Sequence, residues 1–198
     1  MRILHLLTLA AVVAVPVALH ATPITYTESF IGSGSVANGN FTEQFSNQLV
    51  TLTGVGDTDN VVNQGRVFIN IVPTTFSIAG GATGLFTDEI QFVSRQSPLP
   101  LAGVGDNTTN AAVMFGLNSA FSKYDLMTAI GPITGAAFFN SGTSFATDSG
   151  TFTIISSGDS TFEAMGGIPA IPELSSLVLL GTGALGILGM MKRKVFAA

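Results

Sequence analysis

Two Asp- and Asn-rich stretches carry the oxygen atoms with which this sequence could bind a cation. "GDTDN" offers Asp57, Asp59 and Asn60, and "GDNTTN" offers Asp106, Asn107 and Asn110. Calcium takes six to eight oxygen ligands from such groups, but both stretches lack the remaining positions of an EF-hand. Asp and Asn are also the residues that β-turns prefer. We therefore predict a turn at each place, keep calcium as the alternative, and expect no other cofactor.

The residue types that most nucleophilic enzymes use are missing from the middle of the chain. The sequence has no Cys, and its two histidines, His5 and His20, lie in the apolar N-terminal stretch. A domain without them excludes Ser-His-Asp and Cys-His catalysis and the usual zinc sites. A carboxylate pair remains conceivable, such as Asp88 with Asp57 or Glu89. Adjacent residues point to opposite faces of a strand, so we predict no enzyme and keep a carboxylate-based hydrolase as a remote alternative.

Charge is distributed very unevenly along the chain. All 12 acidic residues lie within 28–173, whereas four of the seven basic residues are Arg2, Lys192, Arg193 and Lys194. An acidic middle offers phosphates no cationic surface, so nucleic-acid binding is excluded. Basic residues at the two tips are typical of membrane-directed segments.

The elements that must position these side chains are predicted to be strands. Within 22–167, short runs such as "TPITYTESF", "NQLVTLTG" and "GRVFINIV" alternate apolar and polar residues between Gly, Asn, Asp, Ser or Pro. No apolar pattern of helical period occurs there. Period-two runs with frequent turn residues predict an all-β domain, an antiparallel β-sandwich or barrel-like fold.

Individual segments sharpen this prediction. In 85–93, Phe86, Ile90 and Phe92 share one face of a predicted strand, and Asp88 breaks the pattern as a bulge would. "FSKYDLMTAIG" at 121–131 is assigned to a strand rather than a short helix. "LTGVGDTDN" at 52–60 and "LAGVGDNTTN" at 101–110 echo each other, which indicates either an internal duplication or equivalent turns. "GGIPAIP" at 166–172 is the predicted linker.

The N-terminal stretch is organised like a secretory signal peptide. "MRILHLLTLAAVVAVPVALHA" runs from one Arg through an apolar stretch to small residues. We predict a signal helix over 1–21 with cleavage after Ala21. An uncleaved anchor helix is the alternative.

The C-terminal stretch is predicted to cross a membrane. An uncharged run, 174–191, would form about 27 Å of helix, close to the thickness of a hydrocarbon core. Lys192, Arg193 and Lys194 follow it directly. Because basic flanks stay in the cytoplasm, we predict one transmembrane helix that anchors the precursor with its β domain outside.

The tail as a whole, 168–198, resembles a known sorting signal. Pro172 and Glu173, an apolar helix and a terminal basic cluster, in a chain with a signal peptide, resemble the PEP-CTERM signal of Gram-negative bacteria. The resemblance implies exosortase, a membrane-embedded cysteine protease, as a partner that removes the helix. It also implies release or attachment at the cell surface or in extracellular polysaccharide. Leu174 stands where the motif has its final proline, and an ordinary C-terminal anchor is the alternative.

These observations together predict an exported, non-enzymatic protein of the cell surface or extracellular matrix. A carbohydrate-binding module that acts on exopolysaccharide is the second hypothesis. In that case Tyr26 or Tyr124 would supply the platform on which a sugar stacks, since the chain has no Trp.

Overall fold

The folded domain consists almost entirely of β-strands. A computed structural model describes residues 22–166 of the protein. Two short 3₁₀ helices, Thr58–Asn60 and Ser119–Lys123, interrupt the strands. The strands are β1 (Pro23–Asn38), β2 (Phe41–Asp57), β3 (Val62–Asn63), β4 (Val67–Ile71), β5 (Thr74–Ile78), β6 (Thr83–Leu85), β7 (Ile90–Arg95), β8 (Leu101–Asp106), β9 (Ala112–Leu117), β10 (Ile130–Phe138), β11 (Ser144–Thr147) and β12 (Gly150–Gly166).

All twelve strands belong to one antiparallel sheet that curls into a half-barrel. Its order is β3-β4-β7-β8-β9-β10-β12-β1-β2-β5-β6, and β11 pairs with β12 beside this path. The first part of β10 pairs with β12 and its last three residues pair with β9. Strand β10 therefore joins a long-strand half (β12, β1, β2, β5, β6 and β11) to a short-strand half (β3, β4, β7, β8 and β9). The predicted all-β antiparallel class is confirmed for the described residues.

Strand β1 shows why the sequence forms this sheet. Ile24, Tyr26 and Phe30 are buried, whereas Thr25 and Thr27 between them are only half-buried on the opposite face. Alternate residues of a strand point to opposite faces, and β-branched and aromatic side chains fit a pleated surface. β1 pairs with β2 on one side and with β12 on the other over nearly its whole length. It is the central strand of the long-strand half.

Aromatic side chains hold the two halves together. Tyr26 in β1 stacks on Phe92 in β7, with ring centroids 4.8 Å apart. Phe162 in β12 packs against Phe121 at 5.8 Å and Tyr124 at 5.7 Å, both edge to face. Fully burying a Phe side chain contributes roughly 1.5–3 kcal/mol, so this cluster accounts for much of the attraction between the halves. A second aromatic group comprises Phe45, Phe76, Phe86, Phe145 and Phe152.

The segment 85–93 is two strands rather than one. Strand β6 ends at Leu85 and β7 begins at Ile90. Between them Phe86 forms a bridge with Thr147, so the chain leaves β5 and crosses to the short-strand half. The predicted bulge at Asp88 lies in this crossing. The common burial of Phe86, Ile90 and Phe92 is confirmed.

The strand predicted over 121–131 is wrong for most of its length. Its first residues belong to the 3₁₀ helix Ser119–Lys123, and β10 begins only at Ile130. The side chain of Asn118 starts that helix by accepting a hydrogen bond from the Ala120 N–H at 2.9 Å. The Phe121 ring is fully buried. Local capping and the burial of one ring thus outweigh the strand preference of the segment.

The two echoing stretches occupy similar places but face opposite ways. Each forms the end of a strand followed by a turn, in β2 and in β8. Val55 of the first stretch is 58 % exposed, whereas the corresponding Val104 is completely buried. A duplicated unit would keep the same face toward the core, so the structure favours two equivalent turns over a duplication.

Several predictions fall outside residues 22–166. They concern the signal helix and its cleavage after Ala21, most of the linker, the sorting motif with Leu174, the helix 174–191 and the basic cluster. Within the described part of the chain, neither short helix is long and apolar enough to cross a membrane.

Candidate functional site

The two predicted cation sites are built as capped turns. The Asp57 carboxylate accepts a hydrogen bond from the Asp59 N–H at 2.9 Å and caps the helix Thr58–Asn60. The Asp106 carboxylate accepts from the Thr108 N–H at 2.7 Å and from the N–H and hydroxyl of Thr109. Among the described residues no three His, Cys, Asp or Glu side chains converge as a metal site would require. The turn interpretation accounts for both carboxylates, and calcium binding stays an untested prediction.

Asp88 and Glu89 lie beside an open, mainly apolar cleft of about 470 Å³. The connection between β6 and β7 places them there, so the expected opposite faces of one strand do not apply. Asp88 accepts a hydrogen bond from the Ala146 N–H at 3.0 Å, and Glu89 accepts from the Asn107 side-chain amide at 2.9 Å. Asp57 does not line the cleft. Of the proposed acid pairs, the structure brings only Asp88 and Glu89 to a common site.

Glu28 is the most unusual ionisable residue of the described domain. It lies on the inner face of β1, opposite Leu52 and Phe162, and is completely buried. Neither carboxylate oxygen has a hydrogen-bond partner. Burial raises the pKa of Glu28 well above its ordinary value, and the nearby Ser160 hydroxyl opposes this shift more weakly. Burial in the core therefore favours the neutral carboxylic acid form of Glu28 over the carboxylate.

The surroundings of Glu28 leave it little room. A methyl group at Gly116 would lie 3.0 Å from the Ser160 hydroxyl oxygen and 3.9 Å from a Glu28 carboxylate oxygen. The Ser160 oxygen is itself buried without a hydrogen-bond partner. Sequence reasoning missed this group, although the alternation in "TYTESF" places Glu28 on the same face as Tyr26 and Phe30.

The two tyrosines considered as sugar platforms are core residues. Tyr26 is 0 % and Tyr124 is 4 % exposed, so neither offers a ring to a surface ligand. Burial raises the pKa of Tyr26 to about 12 and also raises the pKa of Tyr124. The Tyr26 hydroxyl donates to the Leu126 carbonyl and accepts from the Asn70 amide. The Tyr124 hydroxyl has no partner.

The outer surface of the long-strand half carries a continuous line of hydroxyl groups, which we call the hydroxyl row. One Ser or Thr from each of six neighbouring strands contributes to it, and none of the six is buried. The members, in order across β10, β12, β1, β2, β5 and β6, are Thr134, Thr161, Ser29, Thr51, Ser77 and Thr83. The Thr134 and Thr161 hydroxyl oxygens are 2.8 Å apart. Adjacent strands lie about 4.8 Å apart, which gives the row a regular repeat.

The hydroxyl row is chemically uniform. It contains no charged side chain. A second line of outward threonines, Thr27, Thr53 and Thr75, runs beside it and ends at Glu163 on β12. Each hydroxyl both donates and accepts hydrogen bonds. Such an array suits a neutral ligand that itself carries many hydroxyl groups.

The buried acid, the cleft and the hydroxyl row are thus three places in the described domain where function can be sought. Comparisons of the chain with protein-family models, with curated proteins and with solved structures find no match.

Proposed function

We propose that the chain is an exported, non-enzymatic component of the cell surface or extracellular matrix, sorted by its tail. The two end segments carry the sorting signals. They are a signal peptide over 1–21 and a PEP-CTERM-like segment over 168–198 with Pro172, Glu173 and a basic cluster. Exosortase is the proposed processing partner. The precursor is held in the membrane by the helix 174–191 until the tail is removed.

The proposal that the protein is not an enzyme rests on the structural role of its carboxylates. They fasten turns and strand ends, where backbone N–H groups would otherwise lack partners. Glu43, Asp57, Asp88, Asp106, Asp125 and Asp148 all accept hydrogen bonds from backbone N–H groups. Carboxylates with these structural roles are poorly placed to act as acid and base on a substrate.

The mass of the mature protein from its native host tests the sorting proposal. A mature C-terminus near Glu173, together with an N-terminus at Thr22, is the expected result. An intact tail ending at Ala198 on a membrane-bound protein would reject processing and leave an ordinary anchor. A mature protein that retains residues 1–21 would reject the signal peptide.

Carbohydrate binding is the second candidate, and the hydroxyl row favours it. Stacking on Tyr26 or Tyr124 is not available, so recognition would rest on hydrogen bonds to sugar hydroxyl groups. The acidic domain would repel polyanions, which makes a neutral exopolysaccharide the expected ligand.

Pull-down with neutral exopolysaccharides tests this second candidate. A Thr51→Val/Thr161→Val variant removes two hydroxyls of the row and keeps β-branched side chains, so the strands are preserved. We expect it to lose binding. Thr25→Val/Thr42→Val, on outward positions away from the row, is the matched control and should bind normally. Equal binding by both variants would rule out the row.

A further inference from the structure

The outer face of the short-strand half is mainly apolar, in contrast to the hydroxyl row. The central line of this face takes one outward residue from each of six strands. Its members, across β10, β9, β8, β7, β4 and β3, are Phe138, Phe115, Gly103, Val93, Ile69 and Val62. A flanking line contains Ala136, Leu117, Leu101, Arg95 and Val67.

This apolar face is separate from the core. Val93 and Leu101 are only 9 % and 6 % exposed, yet they do not belong to the core cluster. The Phe115 ring covers β8 at Gly103, where a methyl group would lie 3.0 Å from the ring edge. At the two ends of the central line, Val62 is 54 % and Phe138 is 52 % exposed. The centre of the face is thus covered within the chain, and its exposed apolar surface lies toward the two ends, where such surface can take part in an interaction.

The charges at the ends of this face have opposite signs. Glu89 directly precedes β7 and Arg95 ends it, about 20 Å further along the strand. Arg66 directly precedes β4 and donates to Ser97, which places it at the Arg95 end. The face is therefore apolar in the centre, acidic at one end and basic at the other.

We propose that a second copy of the chain docks on this face. The two-fold axis of this dimer lies between the two faces, perpendicular to the strands and parallel to the central line. The strands of the partner therefore run in the opposite direction. The Arg95 end of each copy then meets the Glu89 end of the other, and the apolar lines cover each other. One surface that complements itself in this way is the signature of a two-fold symmetric dimer. The same charge pattern disfavours the parallel arrangement, which would bring arginine against arginine.

The size of the face sets the strength of the dimer. The six strands contribute between two and six residues each to this face, so at a spacing of about 4.8 Å they cover roughly 450 Å² per copy, or about 900 Å² in total. Specific interfaces start near about 1,000 Å². A concentration-dependent dimer is expected rather than an obligate one.

Thiol cross-linking of the full chain tests this geometry, because the natural sequence contains no Cys. The axis brings each residue of the central line close to its own copy. Facing sheets are about 10 Å apart, too far for a disulfide, so a short bifunctional thiol reagent is used. The Val62→Cys variant should give a covalent dimer. Val55→Cys, an equally exposed valine on the long-strand half, is the matched control and should stay monomeric.

Two results would overturn the proposal. One is the absence of a Val62→Cys dimer. The other is equal cross-linking of both variants, which would indicate association through another part of the chain.

Charge reversal tests the orientation independently. In the Val62→Cys background, Arg95→Glu should weaken the association at low salt by tenfold or more. Adding Glu89→Arg should restore it, because the reversed charges again meet opposite partners. If the doubly reversed chain associates as weakly as Arg95→Glu alone, the antiparallel pairing is wrong.

Discussion

The Tyr26 hydroxyl donates a hydrogen bond to the Leu126 carbonyl oxygen at 2.7 Å, across 100 residues of chain. The same hydroxyl accepts a hydrogen bond from the Asn70 side-chain amide at 3.0 Å. Leu126 has a φ of +63°, which is unfavourable for a residue with a side chain. Tyr26, on the central strand of the long-strand half, therefore holds both the strained loop residue Leu126 and the Asn70 side chain of β4 in place.

Tyr26→Phe should destabilise the domain by about 1–3 kcal/mol, because it leaves the buried Leu126 carbonyl without its donor. Tyr124→Phe is the matched control. It removes a hydroxyl that has no partner, so it should be neutral or slightly stabilising. Chemical denaturation of both variants measures the difference. Equal losses in the two variants would mean that the hydrogen bonds of Tyr26 contribute nothing specific.

Glu28 should make the stability of the domain depend on pH. Since its pKa is raised in the folded state, the folded chain keeps this proton to a higher pH than the unfolded chain does. The contribution to stability is greatest below the ordinary carboxyl pKa and is lost as pH rises toward the raised value. The loss is about 1.4 kcal/mol for each unit of pKa difference.

Glu28→Gln should remove this fall in the free energy of unfolding as the pH rises above the ordinary carboxyl pKa. Glu163 faces outward on β12, opposite Thr27 of β1. Glu163→Gln is therefore the control, and it should keep the original dependence of stability on pH. If the fall in stability persists unchanged in Glu28→Gln, it is caused by other groups.

Asp106→Ala should destabilise the domain by about 1–3 kcal/mol, since the turn after β8 loses the acceptor for two N–H groups and one hydroxyl. In the turn interpretation the loss is the same in excess calcium and in chelator. Asp159→Ala, at an exposed position, should have little effect. Thermal melting in both buffers gives the comparison. A calcium-dependent stabilisation of the natural chain that Asp106→Ala abolishes would instead support the cation site.

Leu174→Pro should increase processing of the tail, because it completes the Pro-Glu-Pro tripeptide of the signal that the tail resembles. The measurement is the ratio of processed to full-length chain in the native host. Leu177→Pro, three residues into the apolar run, is the control that separates motif repair from a general effect of proline. If both substitutions raise the ratio, or if neither does, position 174 does not limit recognition.

Much of the fold could be predicted because the sequence alternates clearly. The apolar residues of "TPITYTESF" and the buried pair Ile90 and Phe92 of β7 follow directly from the two-residue period of strands. The turns at Asp57 and Asp106 follow from the side-chain hydrogen bonds that Asp makes locally.

The rest depended on contacts between distant residues. The strand predicted over 121–131 failed because Asn118 caps a short 3₁₀ helix that places the Phe121 ring in the core. The opposite faces of Val55 and Val104 are set by strand register, which two such similar local sequences do not encode. The hydroxyl row and the apolar face arise only when six strands are brought into register. No single segment of sequence contains either surface.

The pairing of β1 with β12 also determines when the domain can fold. The strand that follows Thr22 is synthesised first, but its partner across Ile24 is Gly166, at the end of the described chain. Contacts between residues this far apart form slowly. The central strand therefore remains incomplete until the last strand has been made.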